Sequence, residues 1–513
     1  MPALPETSAE NEPLAQRFSQ DAPLIAGVGI EFHGLDVIPP GERTTKASGL
    51  FWPWFGANVN VLGLSFGAFL LSFGISFWQG LLVGVIGGIL SFAFVGLVAI
   101  GSKRSSAPTM MVSRTIFGVN GNRLVSFISW VQAVGWETIL TTLAVLATYT
   151  IISQIASVDE TITEAIALVV IAIVVVLAGI YGYSLVMRLE LAISVVIGLL
   201  TIVFVVLAFN HVNFSALGST PNGDLPQVVG ALCFIMVGFG LGWTAIAGDY
   251  ARYVPRQASG AAVAFWTTVG ASLPCTLMLI FGLLLAGSST DLSNAIAANP
   301  VGALATILPT WFMFPFLVVA VTGMIATATL EIYSSGLALL AVGLPVRRPV
   351  AAGIDGIVMI LGSIYIIFIQ QSFIATFEAF LTTVGVPIAV WCGIFLADIL
   401  MRRKEYVERD FYSERGRYGS VSWGSVILLI VGTVIGWGLI TNGSVNFLSW
   451  QGYLLQFGLG GVNGTWAFSN LGVVVGLIVG FAGYFAVGPR VIRRQEAAPI
   501  EPTATPAFAA PRA

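Results

Sequence analysis

Charge is what this chain has least of. Only 9% of its 513 residues are Asp, Glu, Lys or Arg, against about 25% in soluble globular proteins. With 57% hydrophobic residues and a mean hydropathy of +0.91, the shortage excludes a soluble globular domain and leaves a polytopic membrane protein. A net charge of −3 gives no reason to expect nucleic acid as a partner. The three cysteines, Cys233, Cys275 and Cys392, all lie in apolar segments, so a disulfide framework is not expected. There are two histidines, His33 and His211, and no H-E-x-x-H, phosphate loop or cysteine pair with zinc spacing. Gly63-Leu-Ser-Phe-Gly67 matches a nucleophile-elbow pattern, but it sits in an apolar span with no strand before it and reads as chance. No enzyme activity, organic cofactor or structural metal is therefore expected. Residues 1–49 lack the short apolar core of a signal peptide.

Long apolar runs are plentiful. A spanning helix needs about 20 mostly apolar residues, and such runs lie near 50–75, 78–101, 124–152, 161–180, 189–209, 227–248, 260–287, 308–341, 351–370, 374–400, 421–440 and 467–489. These are spans 1 to 12. With twelve spans, all 22 Lys and Arg fall on the side that holds both termini, and the other side carries only acids, among them Asp159, Glu160, Glu164, Asp224 and Asp291. The positive-inside rule makes the basic side cytoplasmic. The organisation that follows is a cytoplasmic N-terminal segment (1–49), a ten-helix core (50–400), a cytoplasmic loop with spans 11 and 12 (401–489), and a disordered Pro- and Ala-rich cytoplasmic tail (490–513).

Span 1 contains Trp54-Phe-Gly-Ala-Asn-Val-Asn-Val-Leu-Gly63, a poor stretch of lipid-facing helix. Asn58 and Asn60 cost free energy in hydrocarbon unless something binds them. Gly56 and Gly63 make local unwinding cheap. Span 6 contains Gly238-Phe-Gly-Leu-Gly-Trp243, with glycine at alternate positions. If spans 1–5 and 6–10 are inverted repeats, each opens with a broken helix, and paired interruptions of this kind point to a midplane binding site. Gly80, Gly84 and Gly88 of span 2 read instead as close-packing positions.

Further side chains could complete such a site. Gln132 and Trp136 of span 3 are four residues apart and share a helix face, and an indole with an amide suits a flat heteroaromatic ligand. Phe239 and Trp243 of span 6 have the same spacing and offer a second aromatic wall. On span 8, Gly323, Thr327 and Glu331 share a face. Glu137 and Glu331 are intramembrane carboxylates, which must pair, face water or take a proton.

These residues resemble the nucleobase–cation symporters of the purine–cytosine permease group. The matching pieces are Trp54-Phe-Gly-Ala-Asn-Val-Asn, Arg114-Thr-Ile-Phe-Gly-Val-Asn-Gly121, Gly135-Trp136, Gly248-Asp-Tyr-Ala-Arg-Tyr253, Phe377-Glu-Ala-Phe-Leu-Thr-Thr-Val-Gly, Ala397-Asp398 and Arg402-Arg-Lys-Glu-Tyr406. The resemblance implies an all-α, five-plus-five inverted repeat of the LeuT type with two extra C-terminal helices. It implies substrate stacked between Trp136 and an aromatic of span 6. The usual position of that aromatic falls on Gly240, so Phe239 or Trp243 must substitute. Gln132 resembles the amide that reads the substrate's polar edge, and the Asp249–Arg252 and Arg402–Tyr406 pieces are expected in cytoplasmic loops.

The expected activity is import of a nucleobase or related heterocycle by alternating access. Spans 1, 2, 6 and 7 would rock against spans 3, 4, 8 and 9, with span 10 as a gate bending at Gly385 and Pro387. In sodium-coupled relatives the ion lies between span 1 carbonyls, here Gly56 and Val59, and two span 8 hydroxyls. Here Thr327 matches one hydroxyl and Ala326 occupies the other position. Glu137 and Glu331 therefore favour proton coupling, with sodium at Gly56, Val59 and Thr327 as the alternative. A passive channel, or sodium symport of hydantoin, allantoin or a thiamine-like compound, is the rival reading. The expected partners are the heterocycle and the bilayer of the plasma membrane, and no protein partner is inferred.

Overall fold

A computed structural model describes residues 35–498 apart from Asn60, Gly182, Gln371, Ser372 and Ser444, and without the side chains of residues 181–194 and Ala298. Asn60 and the expectations for residues 1–34 and 499–513 lie outside the described residues.

The apolar runs become helices, with no strand among the described residues. Span 1 is a pair of helices, Ala47–Asn58 and Leu62–Leu71, bent by 65°. The other long spans are Phe77–Ser105 (2), Asn122–Ile155 (3), Glu160–Ile180 (4), Leu225–Ala251 (6), Gly260–Ser288 (7), Thr310–Val342 (8), Arg348–Ile369 (9), Phe373–Met401 (10) and Leu471–Ala497 (12). Tyr183–Ala208 and Trp423–Trp437 take the places predicted for spans 5 and 11. Local chemistry fixes the ends. Ser76 accepts from Gln79 N–H while the Gln79 side chain accepts from Ser76 N–H, a capping box that opens span 2. Gly343, at φ +107°, closes span 8 in the left-handed conformation.

Span 3 packs along span 8, span 2 along span 7, and span 10 along span 12. Without water to drive helices together, close backbone approach does much of the work. A Cβ on Gly282 would sit 1.8 Å from the Leu64 carbonyl oxygen, and one on Gly67 would sit 2.1 Å from Leu283 N. Gly80 and Gly84 admit Leu283 and Leu279 of span 7, the packing role their spacing implied. Large apolar side chains that stay exposed, such as Leu82, Ile86, Ile166 and Ile173, face outward as a lipid-compatible surface.

Two of the motif segments outside the spans are structural latches. Arg402 forms a bidentate pair with Asp398 (2.8 and 2.9 Å), and Tyr484 of span 12 donates to the same carboxylate (2.9 Å). Gly118, at φ +81°, lets Val119 and Asn120 donate to the Gly419 and Ser420 carbonyls (3.0 and 2.8 Å). One expectation is corrected here. Asp249 and Arg252, expected in a loop, belong to the buried C-terminal end of span 6, where Gly248–Ala251 is helical. Asp249 accepts from Thr109 N–H and Oγ1–H (3.0 and 3.2 Å), and Arg252 donates to Tyr333 Oη (2.6 Å).

Candidate functional site

Both breaks fall where the glycine and asparagine pattern put them. Span 1 leaves the helix at Val59 (φ −85°, ψ 83°), and span 6 leaves it at Phe239 (φ −107°, ψ −116°). Between them lies a cavity of about 30 Å³ lined by Ala57, Asn58, Leu62, Gly63, Phe66, Trp136, Leu140, Gly238, Phe239, Trp243, Cys275 and Thr327. That volume holds a water-sized molecule, so the surrounding helices must part to admit a ring.

The aromatic wall is held by ring contacts. Trp243 meets Trp54 edge to face (centroids 5.7 Å), Phe239 stacks on Phe92 (5.9 Å) and meets Phe66 (4.8 Å), and Trp136 meets Phe377 (5.6 Å). Gly135 makes room for Phe380 of span 10, whose ring would lie 2.1 Å from a Cβ there. The structure also explains why no aromatic stands at position 240. A Cβ on Gly240 would lie 2.1 Å from the Ser91 carbonyl carbon, and Gly240 N–H donates to Ser91 Oγ (3.0 Å).

Gln132 is buried, and neither its amide nitrogen nor its oxygen has a hydrogen-bond partner among the described residues. Its Nε2 and the Trp136 Nε1 both face Gly242, at 3.0 and 3.2 Å from where a Cβ there would sit. An unmet buried amide costs about 1–3 kcal/mol; Gln132 lies beside the cavity-lining Trp136 but does not itself line the cavity. Asn58 differs, because its side chain is already satisfied. Nδ2 donates to the Trp54 carbonyl (2.8 Å) and Oδ1 accepts from the Cys275 thiol (3.2 Å), which pins the end of the first half-helix.

On span 8, Thr327 Oγ1 lies 3.3 Å from the Ala57 carbonyl and 3.0 Å from that of Gly323. The contact from span 1 is thus to Ala57, between the expected Gly56 and Val59. Glu137 is fully buried, and neither carboxylate oxygen has a hydrogen-bond partner among the described residues. Asp355 of span 9 and Glu331 of span 8 are its charged neighbours, and Ser335 lies beside it. Asp355 accepts from Trp130 Nε1 (2.6 Å) and Ser335 Oγ (2.9 Å) and faces Arg348. Glu331 faces Asp249. Sequence reasoning passed over Asp355, although a lone acid in the run Ala352-Gly-Ile-Asp-Gly-Ile was a legible signal. It also missed Phe66, which lies within the discarded elbow match.

Two broken helices flanking an aromatic, amide-bearing cavity in a bundle of apolar spans define an integral-membrane carrier of the LeuT fold. The chain belongs to the family described as permeases for cytosine/purines, uracil, thiamine and allantoin, whose sequence model matches residues 37–460. It is 23% identical over 413 residues to a putative purine-cytosine permease, YxlA, of Bacillus subtilis, covering 79% of this chain and 87% of that protein. It is 25% identical over 267 residues to the purine-cytosine permease FCY21 of Saccharomyces cerevisiae, covering 50% of this chain and 48% of that one. Among solved structures, Mhp1, a nucleobase-cation-symport-1 family transporter in a closed conformation with bromovinylhydantoin bound, shares the fold at a TM-score of 0.68 and 16% identity, over 90% of this chain and 95% of that one. A Na+-coupled sialic acid symporter shares it at 0.57 and 13% identity, over 90% and 92%.

Proposed function

We propose that this chain imports a nucleobase or related small heterocycle across the plasma membrane by cation-coupled alternating access, with both termini cytoplasmic. The observation that carries the reading is the unpartnered Gln132 amide beside the Trp136 indole at the break of span 6. The names of the family and its relatives support a cytosine- or purine-like ring as cargo. The ring would stack between Trp136 and Trp243, with Phe239 as the alternative wall, and Gln132 would pair with its polar edge. A site built to hydrogen-bond a substrate rejects analogues that leave its buried groups unpaired. Gln132→Leu is therefore expected to reorder the competition of cytosine, adenine, uracil, allantoin and hydantoin for uptake in a transport-deficient host. An unchanged order would assign Gln132 to helix packing.

The coupling ion is proposed to be the proton. An ionised carboxylate fully buried without hydrogen bonds costs several kcal/mol, so Glu137 fits its site as a carboxylic acid. Its charged neighbours are both acids, Asp355 and Glu331, and the cation Arg348 faces Asp355. Loading and release of one proton at Glu137 would then accompany rocking of spans 1 and 6 against spans 3 and 8. Glu137→Gln is expected to abolish uptake driven by a pH gradient in proteoliposomes while sparing exchange of labelled for unlabelled base. A sodium reading has its own observation, the convergence of Thr327 Oγ1 with the Ala57 and Gly323 carbonyls. Accumulation driven by sodium at equal pH, and indifferent to Glu137→Gln, would replace the proton reading with that one.

A further inference from the structure

A second cavity, of about 400 Å³, opens at the outer end of spans 1, 6 and 10. Its size falls within the range of about 300–1,000 Å³ found for small-ligand sites. Phe73 lies in the turn after the second half of span 1, Asp224 caps span 6, and Glu378 and Thr382 come from span 10. Asn442 and Phe468 close it from the loop between spans 11 and 12.

Ring contacts connect this cavity's lining to that of the central one. The separator is a cluster of phenylalanines from the same three spans. Phe73 meets Phe234 (5.5 Å), Phe234 meets Phe66 (5.6 Å), and Phe66 meets Phe377 (6.1 Å). Phe73 lines the outer cavity and Phe66 the inner one. A ring entering from outside would reach the phenylalanines first, with flat apolar faces and several hydrogen-bonding side chains around it.

The electrostatics are one-sided. The outer segments 156–159, 209–224, 289–309 and 438–470 contain no Lys or Arg. Asp224 and Glu378 therefore line the cavity with no cationic side chain in those segments to offset them, and Glu378 is half-buried. Such a mouth repels anions and favours neutral or cationic rings.

We infer that the outer cavity is a second, weaker binding station for the transported heterocycle, selecting neutral or cationic nitrogen rings over anionic ones before the phenylalanine cluster opens. The inference rests on the transport reading above. Saturation-transfer NMR on the purified full-length protein tests it, with cytosine, adenine, uracil and allantoin as probes and orotate, a uracil bearing a carboxylate, as the anionic comparison. In Trp136→Ala, binding of at least one base should persist. Adding Glu378→Gln and Asn442→Ala should weaken it by about tenfold or more, the loss of a charge-assisted hydrogen bond. Orotate should give no signal with the unaltered chain, should gain one in Asp224→Asn, Glu378→Gln, and should remain excluded in Glu378→Asp, which keeps the charge. Loss of all binding in Trp136→Ala would overturn the second station, as would residual binding indifferent to Glu378→Gln and Asn442→Ala. Orotate binding as well as uracil to the unaltered chain would overturn the charge selection. If the unaltered chain binds none of the bases, the transport reading falls and this station with it.

Discussion

Trp136→Ala is expected to abolish uptake of labelled base, and Trp136→Phe to retain part of it. Base–aromatic stacking contributes about 1–3 kcal/mol per base, which corresponds to roughly 5- to 150-fold in affinity. The indole lines the central cavity and is braced edge to face by Phe377 and Phe380 of span 10. Truncation therefore removes the stacking surface and also loosens the contact between the site and its proposed gate. A phenyl ring restores a smaller face and keeps that contact. Surface expression should match the unaltered protein, because Phe377 remains packed against Phe69 and Phe373. Uptake by the Ala variant at the unaltered rate, with normal expression, would remove Trp136 from the site.

The second large effect is expected at Gly240, where side-chain movement gives no relief. The atoms a methyl group would strike, Ser91 C and O and Phe92 N at 2.1–2.3 Å, are all backbone of span 2. Gly240→Ala must push span 6 away from span 2, lose the Gly240 N–H to Ser91 Oγ bond and displace Phe239 from Phe92. Overpacking typically costs about 1–3 kcal/mol and more where backbone must move. The expected result is a lowered midpoint in a thermal-stability assay of the detergent-purified protein, with transport lost. Gly353→Ala on span 9 is the control, since nothing lies within 4 Å of its Cβ position. It should leave both measurements unchanged or slightly improve stability by reducing unfolded-chain freedom. Equal effects of the two substitutions would contradict the close packing of spans 2 and 6.

How much of this could be read in advance follows from the range of the interactions. The positions of the spans were legible because a bilayer-crossing helix must be apolar along its length, though span 12 runs to Ala497, eight residues past its expected end, and the breaks were legible because glycine and asparagine are costly there for any other purpose. The Gly238-Phe-Gly-Leu-Gly pattern marked the interruption of span 6 to within a residue of Phe239. Side-chain partners were not legible. Asn58 read as a substrate ligand, yet its amide is held by Trp54 and by Cys275, 217 residues away. Nothing in local spacing foretells that pairing. The phenylalanine cluster was hidden by abundance, since the chain has 34 Phe and helical periodicity does not say which of them meet. Asp249 and Arg252 were expected in a loop as part of what the family resemblance implied. The fold instead buries them between the C-terminal ends of spans 6 and 8, with Thr109 and Tyr333 as partners.

The central claim is that the two broken helices form a carrier site and not a pore, and accumulation tests it most directly. The purified chain is reconstituted into proteoliposomes with an inward proton gradient, then an inward sodium gradient, and given a labelled base from the family's range at equal concentration on both sides. The account predicts that the internal concentration rises above the external one under one of the two gradients, and returns to equality when an ionophore collapses that gradient. Equilibration that never exceeds the external concentration under either gradient would contradict it and make the chain a passive path.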